Sequence, residues 1–272
     1  MAALRLGAST YSYVYTHNAL DAVLHLAELG YSDFELVITP PHIWPPEFNS
    51  QQQRAMSRQL AERNLTIQSF CFPLDDNNLN SVLPEVRRLT IDFYTQIIRL
   101  AGEMGVPYVL LLPGKVHPFF PVPNDWMMDW LADAIRVLAP RAADAGTQLL
   151  LENIPSTFLP LADDLIGALD HAGEASVGIN LDIANARTAG EDPSDAVRRV
   201  RDRLKLVHLA DNDATGHRKE AIGRGDIDFA PVAKALGDIG YDGFSMLEIV
   251  TLNQPEEGFR KSRKILAGLG WT

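Results

Sequence analysis

Four residues in the second half of the chain could do chemistry together. Glu152 ends the apolar run QLLLE, Asp182 ends VGINLD, His208 sits in LKLVHLAD, and Glu248 follows FSML. A carboxylate at the end of a buried run is costly unless something pairs with it, or its pKa shifts until it is neutral. Three converging carboxylates could not all stay ionised without a cation, and a divalent metal ion resolves the conflict. Oxygen and imidazole ligands without sulfur suit Mn, Mg, Co or Zn, and the expectation is one such ion, with Mn foremost. An ion that prefers six ligands, held by these four, keeps about two positions for the vicinal oxygens of a substrate. That is the chemistry of a chelated hydroxyketone. Each residue alone has a plainer explanation: a Glu after a strand often caps a helix or pairs at the surface, and a lone His is often a core residue. The case rests on their joint spacing.

The elements that must position them follow from hydrophobic period. Strands are expected over Leu4–Ser9, Asp33–Ile38, Thr66–Phe70, Tyr108–Leu112, Gln148–Glu152, Val177–Asp182, Lys205–Leu209 and Phe244–Ile249. Between and after them, helical spacing covers Ala19–Leu29, Gln51–Arg63, Pro84–Met104, Trp126–Ala145, Leu161–Ala172, Ala196–Arg203, Phe229–Leu236 and Glu256–Leu269. Asn18 is placed to cap the first helix, and Gly30, Gly105, Gly146 and Gly173 each follow a helical run. Strictly alternating strand and helix implies parallel strands, because a parallel connection needs a crossover. Eight units favour a closed (β/α)8 TIM barrel over an open doubly wound sheet, and no strand is followed by GxGxxG. The expectation is an α/β, (β/α)8 TIM barrel in a single domain, residues 1–272. Glu152, Asp182, His208 and Glu248 then stand at the C-terminal ends of strands five to eight, the face where such barrels carry their active sites.

Two proline-rich connections break the rhythm, TPPHIWPPEFNS after the second strand and PGKVHPFFPVPNDW after the fourth. In a barrel both overhang the mouth. Trp44, Phe119, Phe120 and Trp126 either cover the barrel end or stack on a substrate ring. Lys115, His117 and Arg218 could meet substrate hydroxyls or an anionic group, with solvated loop charge as the plainer alternative. Glu35, inside the second strand, could as easily pair with an Arg elsewhere in the barrel as serve the site. Asp211 could orient His208 or cap the segment after it, with the cap preferred, and the glycines of GRGDID are read as shaping a turn.

Composition limits the partners. With 35 Asp and Glu against 24 Lys and Arg, the net charge of -11 repels phosphate backbones, which argues against nucleic acid. Cys71 is the one cysteine, so no disulfide framework or thiolate metal site is expected and a reducing, cytoplasmic setting is favoured. No run of eighteen apolar residues and no leader-like segment is present, so no membrane partner is expected. A homo-oligomer is compatible with the exposed aromatic loops.

The pieces LLLENIP, NLDIANA, HLADND, IGRGDIDF and MLEI together resemble the xylose isomerase-like TIM barrel superfamily, the sugar phosphate isomerase/epimerase family. That resemblance implies a metal-dependent isomerase or epimerase acting on a sugar or keto-polyol. It would abstract a proton next to a carbonyl, with Glu152 and Glu248 as the catalytic acid and base and a metal-stabilised enediolate between them. Asp182 and His208 would be mainly structural ligands. A lyase on the same scaffold is the alternative, either a dehydratase of the inosose or dehydroshikimate type or a C-glycoside-cleaving subunit; a nonenzymatic sugar-binding barrel is the third. Two departures matter. The endonuclease IV branch of the superfamily places extra histidines at positions that here hold Asn185, three residues after Asp182, and the segment HRKEA, so a trinuclear zinc centre is not expected. Asn185 also stands where related epimerases carry a His that contacts substrate oxygens. An amide can bind a hydroxyl there but cannot shuttle a proton near neutral pH. The glycine loop carries Arg224 where an acidic residue is common in relatives.

Overall fold

The computed structural model describes residues 3–213 and 216–272. Eight parallel strands close on themselves in sequence order: β1 Arg5–Ser9, β2 Asp33–Val37, β3 Thr66–Cys71, β4 Tyr108–Leu111, β5 Gln148–Glu152, β6 Gly178–Asp182, β7 Leu204–Leu209 and β8 Phe244–Leu247. β8 pairs back to β1, with Arg5 opposite Phe244 and Ala8 opposite Leu247. The expected (β/α)8 TIM barrel is the fold observed.

Around the barrel run α1 Ala19–Glu28, α2 Ser50–Glu62, α3 Pro84–Met104, α4 Asn124–Ala145, α5 Ala162–Ala172, α6 Ile183–Thr188, α7 Pro193–Arg199, α8 Phe229–Asp238 and α9 Pro255–Ala267. Their ends follow local chemistry. The Asn18 side chain accepts the Asp21 N–H at the start of α1, and Asn49 and Gln52 form a reciprocal capping box on α2. Gly105 adopts φ 69° past the end of α3, a left-handed turn that costs other residues more.

Two elements differ from expectation. A short helix, α6, starts directly at the end of β6, because the Asp182 side chain caps it through the Asn185 N–H at 2.7 Å. The helix expected over Ala196–Arg203 begins earlier and ends earlier, as α7, because Asp192 caps it and Pro193 occupies its first position.

The strands are buried on both faces, which explains their nearly continuous apolar runs. Outward-facing residues join the helices in one large core. Inward-facing Val37, Cys71, Leu110, Leu150, Leu206 and Met246 fill the barrel interior. Side chains on a strand alternate between faces, so the position two residues beyond Leu150, Leu206 or Met246 also faces inward. Those positions are Glu152, His208 and Glu248. Asp182 joins them in register, paired directly across from His208.

Candidate metal centre

The four strand ends deliver Glu152, Asp182, His208 and Glu248 to one point, with one ligand atom from each lying within 4.8 Å of all the others. Asp182 and His208 are fully buried, and Glu152 and Glu248 are only 4% exposed. His208 Nδ1 faces Glu152 Oε1 at 3.6 Å, Asp182 Oδ2 at 3.6 Å and Glu248 Oε2 at 3.5 Å. These distances exceed good hydrogen bonds, and Nδ1 has no hydrogen-bond partner. A buried imidazole nitrogen aimed unpaired at three carboxylates is a donor set that fits a divalent ion.

The other ring nitrogen explains why. His208 Nε2 lies 3.0 Å from Glu35 Oε2, which also accepts the Ser69 hydroxyl at 2.8 Å. Glu35 therefore pairs with His208 and not with an Arg. A carboxylate on one imidazole nitrogen fixes the ring's orientation and directs the other toward a metal. A second group, Glu35 with Cys71 and Glu248, shares this neighbourhood. Burial and then Glu35 push the Cys71 thiol up.

One cation of the chain itself enters the cage. The Lys219 ammonium contacts Asp182 Oδ2 and lies 2.6 Å from Glu248 Oε2. Its charge shapes the carboxylates. Burial raises the Glu152 carboxyl, with His208 as the main counterweight. Burial acts to raise Asp182 and Glu248 too, yet Lys219 and His208 hold both below the usual range. For His208, burial acts to lower the pKa, but Glu35, Glu248 and Glu152 outweigh it and keep the ring's affinity for a proton high.

The cage opens into a cavity of about 310 Å³ lined by Glu152 and Glu248 on one side and by Tyr11, Leu112, Ile154 and Asn185 among others. That is the lower end of the ~300 to 1,000 Å³ range of ligand pockets, suited to a small molecule. Asn185 donates to Asn153 O at 2.8 Å and accepts at Oδ1 from His217 Nε2 at 2.6 Å, which places His217 as a donor in that contact. Sequence reading gave His217 no role, although it stands two residues from Lys219 in the same loop. Arg218 also borders the cavity and lies 3.7 Å from Asp213.

The remaining candidates lie elsewhere. Trp44 packs edge-on to Phe93 and tilted against Phe72, away from the cavity wall. Phe119 is 88% exposed, and the His117 ring accepts the backbone N–H groups of Phe119 and Phe120. Lys115 donates its backbone N–H to Asn78. None of Trp44, Lys115, His117 or Phe119 lines the cavity. Asp211 clamps the glycine loop by accepting from Gly223 and Ile227, and leaves the orientation of His208 to Glu35.

The molecule is thus a closed eight-stranded (β/α)8 barrel that carries a buried carboxylate and imidazole cage at its strand ends. Residues 23–269 match the xylose isomerase-like TIM barrel family, and the chain belongs to it. Fructoselysine 3-epimerase of Shigella flexneri is 23% identical over 236 residues, covering 84% of this chain and 85% of that protein. Inosose dehydratase of Clostridium perfringens is 27% identical over 187 residues, covering 61% and 60%. The crystal structure of D-psicose 3-epimerase with D-tagatose from Clostridium cellulolyticum H10 superposes with a TM-score of 0.85 at 16% identity, covering 99% of this chain and 100% of that one. Among the described residues no helix is long and apolar enough to cross a membrane.

Proposed function

We propose that the chain is an epimerase for a ketose or a closely related keto-polyol, inverting the carbon beside the ketone. The observation that carries this reading is the four-residue cage opening directly into a small cavity. A divalent ion held by Glu152, Asp182, His208 and Glu248 would supply the Lewis acid that polarises the ketone and the neighbouring hydroxyl. Glu152 and Glu248 both border the cavity, and they come from β5 and β8. Two carboxylates in different environments divide the work of acid and base. Glu152, at the end of β5, takes the proton from the carbon next to the carbonyl. Glu248 returns a proton to the other face. Asp182 and His208 hold position, and the Asn185–His217 pair binds a substrate hydroxyl, with His217 standing beside the amide that replaces the histidine of related epimerases.

A dehydratase would use the same first step and differ only in expelling a leaving group, and the similarity to inosose dehydratase favours it as the second reading. Incubating the Mn²⁺-loaded protein with a panel of ketoses and inososes in D₂O separates the two. Deuterium in an intact, epimerised sugar supports the epimerase; loss of water with a new ultraviolet chromophore supports the lyase. Absence of both with every substrate, in a protein that binds the ion, would count against either enzyme.

A further inference from the structure

Lys219 touches the same two atoms, Asp182 Oδ2 and Glu248 Oε2, that converge with Glu152 Oε1 on His208 Nδ1. An ammonium and a metal ion cannot share those oxygens at bonding distance. We propose that Lys219 is a built-in competitor for the metal, a tethered cation that neutralises the carboxylate cage in the ion-free protein and must leave it before a divalent ion can bind. The proposal rests on the reading of the four residues as a metal site.

The lysine is placed there by the backbone. Lys219 adopts φ 53°, a left-handed conformation unusual for a residue with a side chain. Its N–H and that of Arg218 both donate to Asn212 Oδ1 at 2.8 Å. Asn212 is itself fully buried and donates in turn to Thr188 Oγ1 at 3.0 Å. On the other side, Lys219 O accepts the Val250 N–H at 3.0 Å, just past the end of β8. The unusual backbone is therefore held between α6 and the β8 strand end, and it delivers the ammonium to the cage.

Charge explains the arrangement. Three buried carboxylates without a cation would repel one another, and the tether supplies one positive charge when no ion is present. A divalent ion brings two, and then the ammonium becomes a like charge in contact with it. The Lys219 side chain also lines the cavity, so its flexible four-carbon stem has somewhere to go. The ion's apparent affinity is lowered by whatever it takes to move the lysine out, a penalty that removing the lysine abolishes.

The test is calorimetric titration of Mn²⁺ into chelator-stripped protein, comparing wild type with Lys219→Met and Lys219→Gln, alongside thermal unfolding with and without the ion. The variants should bind Mn²⁺ at least about tenfold more tightly. Their ion-free unfolding midpoints should fall, and saturating Mn²⁺ should raise them by more than it raises the wild type. If Lys219→Met folds only when prepared with Mn²⁺, that dependence supports the proposal, and Lys219→Gln supplies the affinity. Equal affinities in wild type and variants, or weaker binding in the variants, would overturn the competitor role while leaving the metal site standing. No binding by any of the three proteins would remove the metal site and the proposal together.

Discussion

Replacing Glu35 with Gln tests whether the metal centre depends on a residue that would never touch the ion. Glu35 is fully buried, and among the described residues its side chain meets His208 Nε2 at 3.0 Å and the Ser69 hydroxyl at 2.8 Å. Gln preserves the size and can still accept a hydrogen bond from the ring, but it removes the negative charge that makes Nδ1 a better donor. Losing such an outer carboxylate typically costs ten- to a hundredfold in metal affinity, or about 1.4 to 2.7 kcal/mol. Because the amide keeps the geometry, the expected loss for Glu35→Gln is near the lower figure, about tenfold. Glu35→Ala, which leaves Nε2 without a partner in a dry interior, belongs nearer the upper one. Ser69→Ala acts one step further out and should weaken binding less than either. Mn²⁺ calorimetry on the series reads this ordering directly. Wild-type affinity in Glu35→Gln would mean that the imidazole is oriented by something else, and the account of how β2 serves the site would fail.

Three further outcomes are expected. In the proposed epimerase, His217→Ala should raise the KM for the substrate about two- to tenfold, the value of one hydrogen bond, while the Mn²⁺ affinity measured by calorimetry stays the same. His42 is buried, and burial lowers its pKa below the usual value of 6.5; the ring bonds to His17 O and the Thr10 hydroxyl. The unfolded chain binds a proton there first as pH falls through about 6.5, so the group costs stability toward lower pH. Thermal unfolding of His42→Gln between pH 7 and pH 5 should accordingly show a shallower decline than wild type. A side chain at Gly225 would run into Asn212 O and Asp211 Oδ1, so Gly225→Ala should destabilise by about 1 to 3 kcal/mol in denaturant titration.

The barrel was legible because each strand is an apolar run with its own stop, and Pro84–Met104 and Gln148–Glu152 match to the residue. Three of the four cage residues were legible for a related reason: an acid closing an apolar run announces itself, and the histidine joined them through its position in the next strand. Glu35 was visible but unassigned, since its partner His208 is 173 residues away and no local pattern carries that distance. Lys219 was harder still. A lysine in a loop reads as solvated charge, and what brings it inside is a left-handed backbone held by Asn212. Asp182 was read only as a ligand, which hid its second task of starting α6. For α7, the Asp192–Pro193 pair was available as a start signal, but the apolar period was followed instead.

The loop that carries His217 and Lys219 is pinched at its base, where Asp211 and Glu220 exchange two backbone hydrogen bonds of 2.8 Å. Its ends are therefore fixed to each other whatever lies between them. A substitution at His217 is thus confined to the cavity wall, because the two ends of the loop stay joined. That makes the cavity wall separable from the cage: a side chain beyond the pinch can be rewritten while the barrel and the strand-end carboxylates stay as they are.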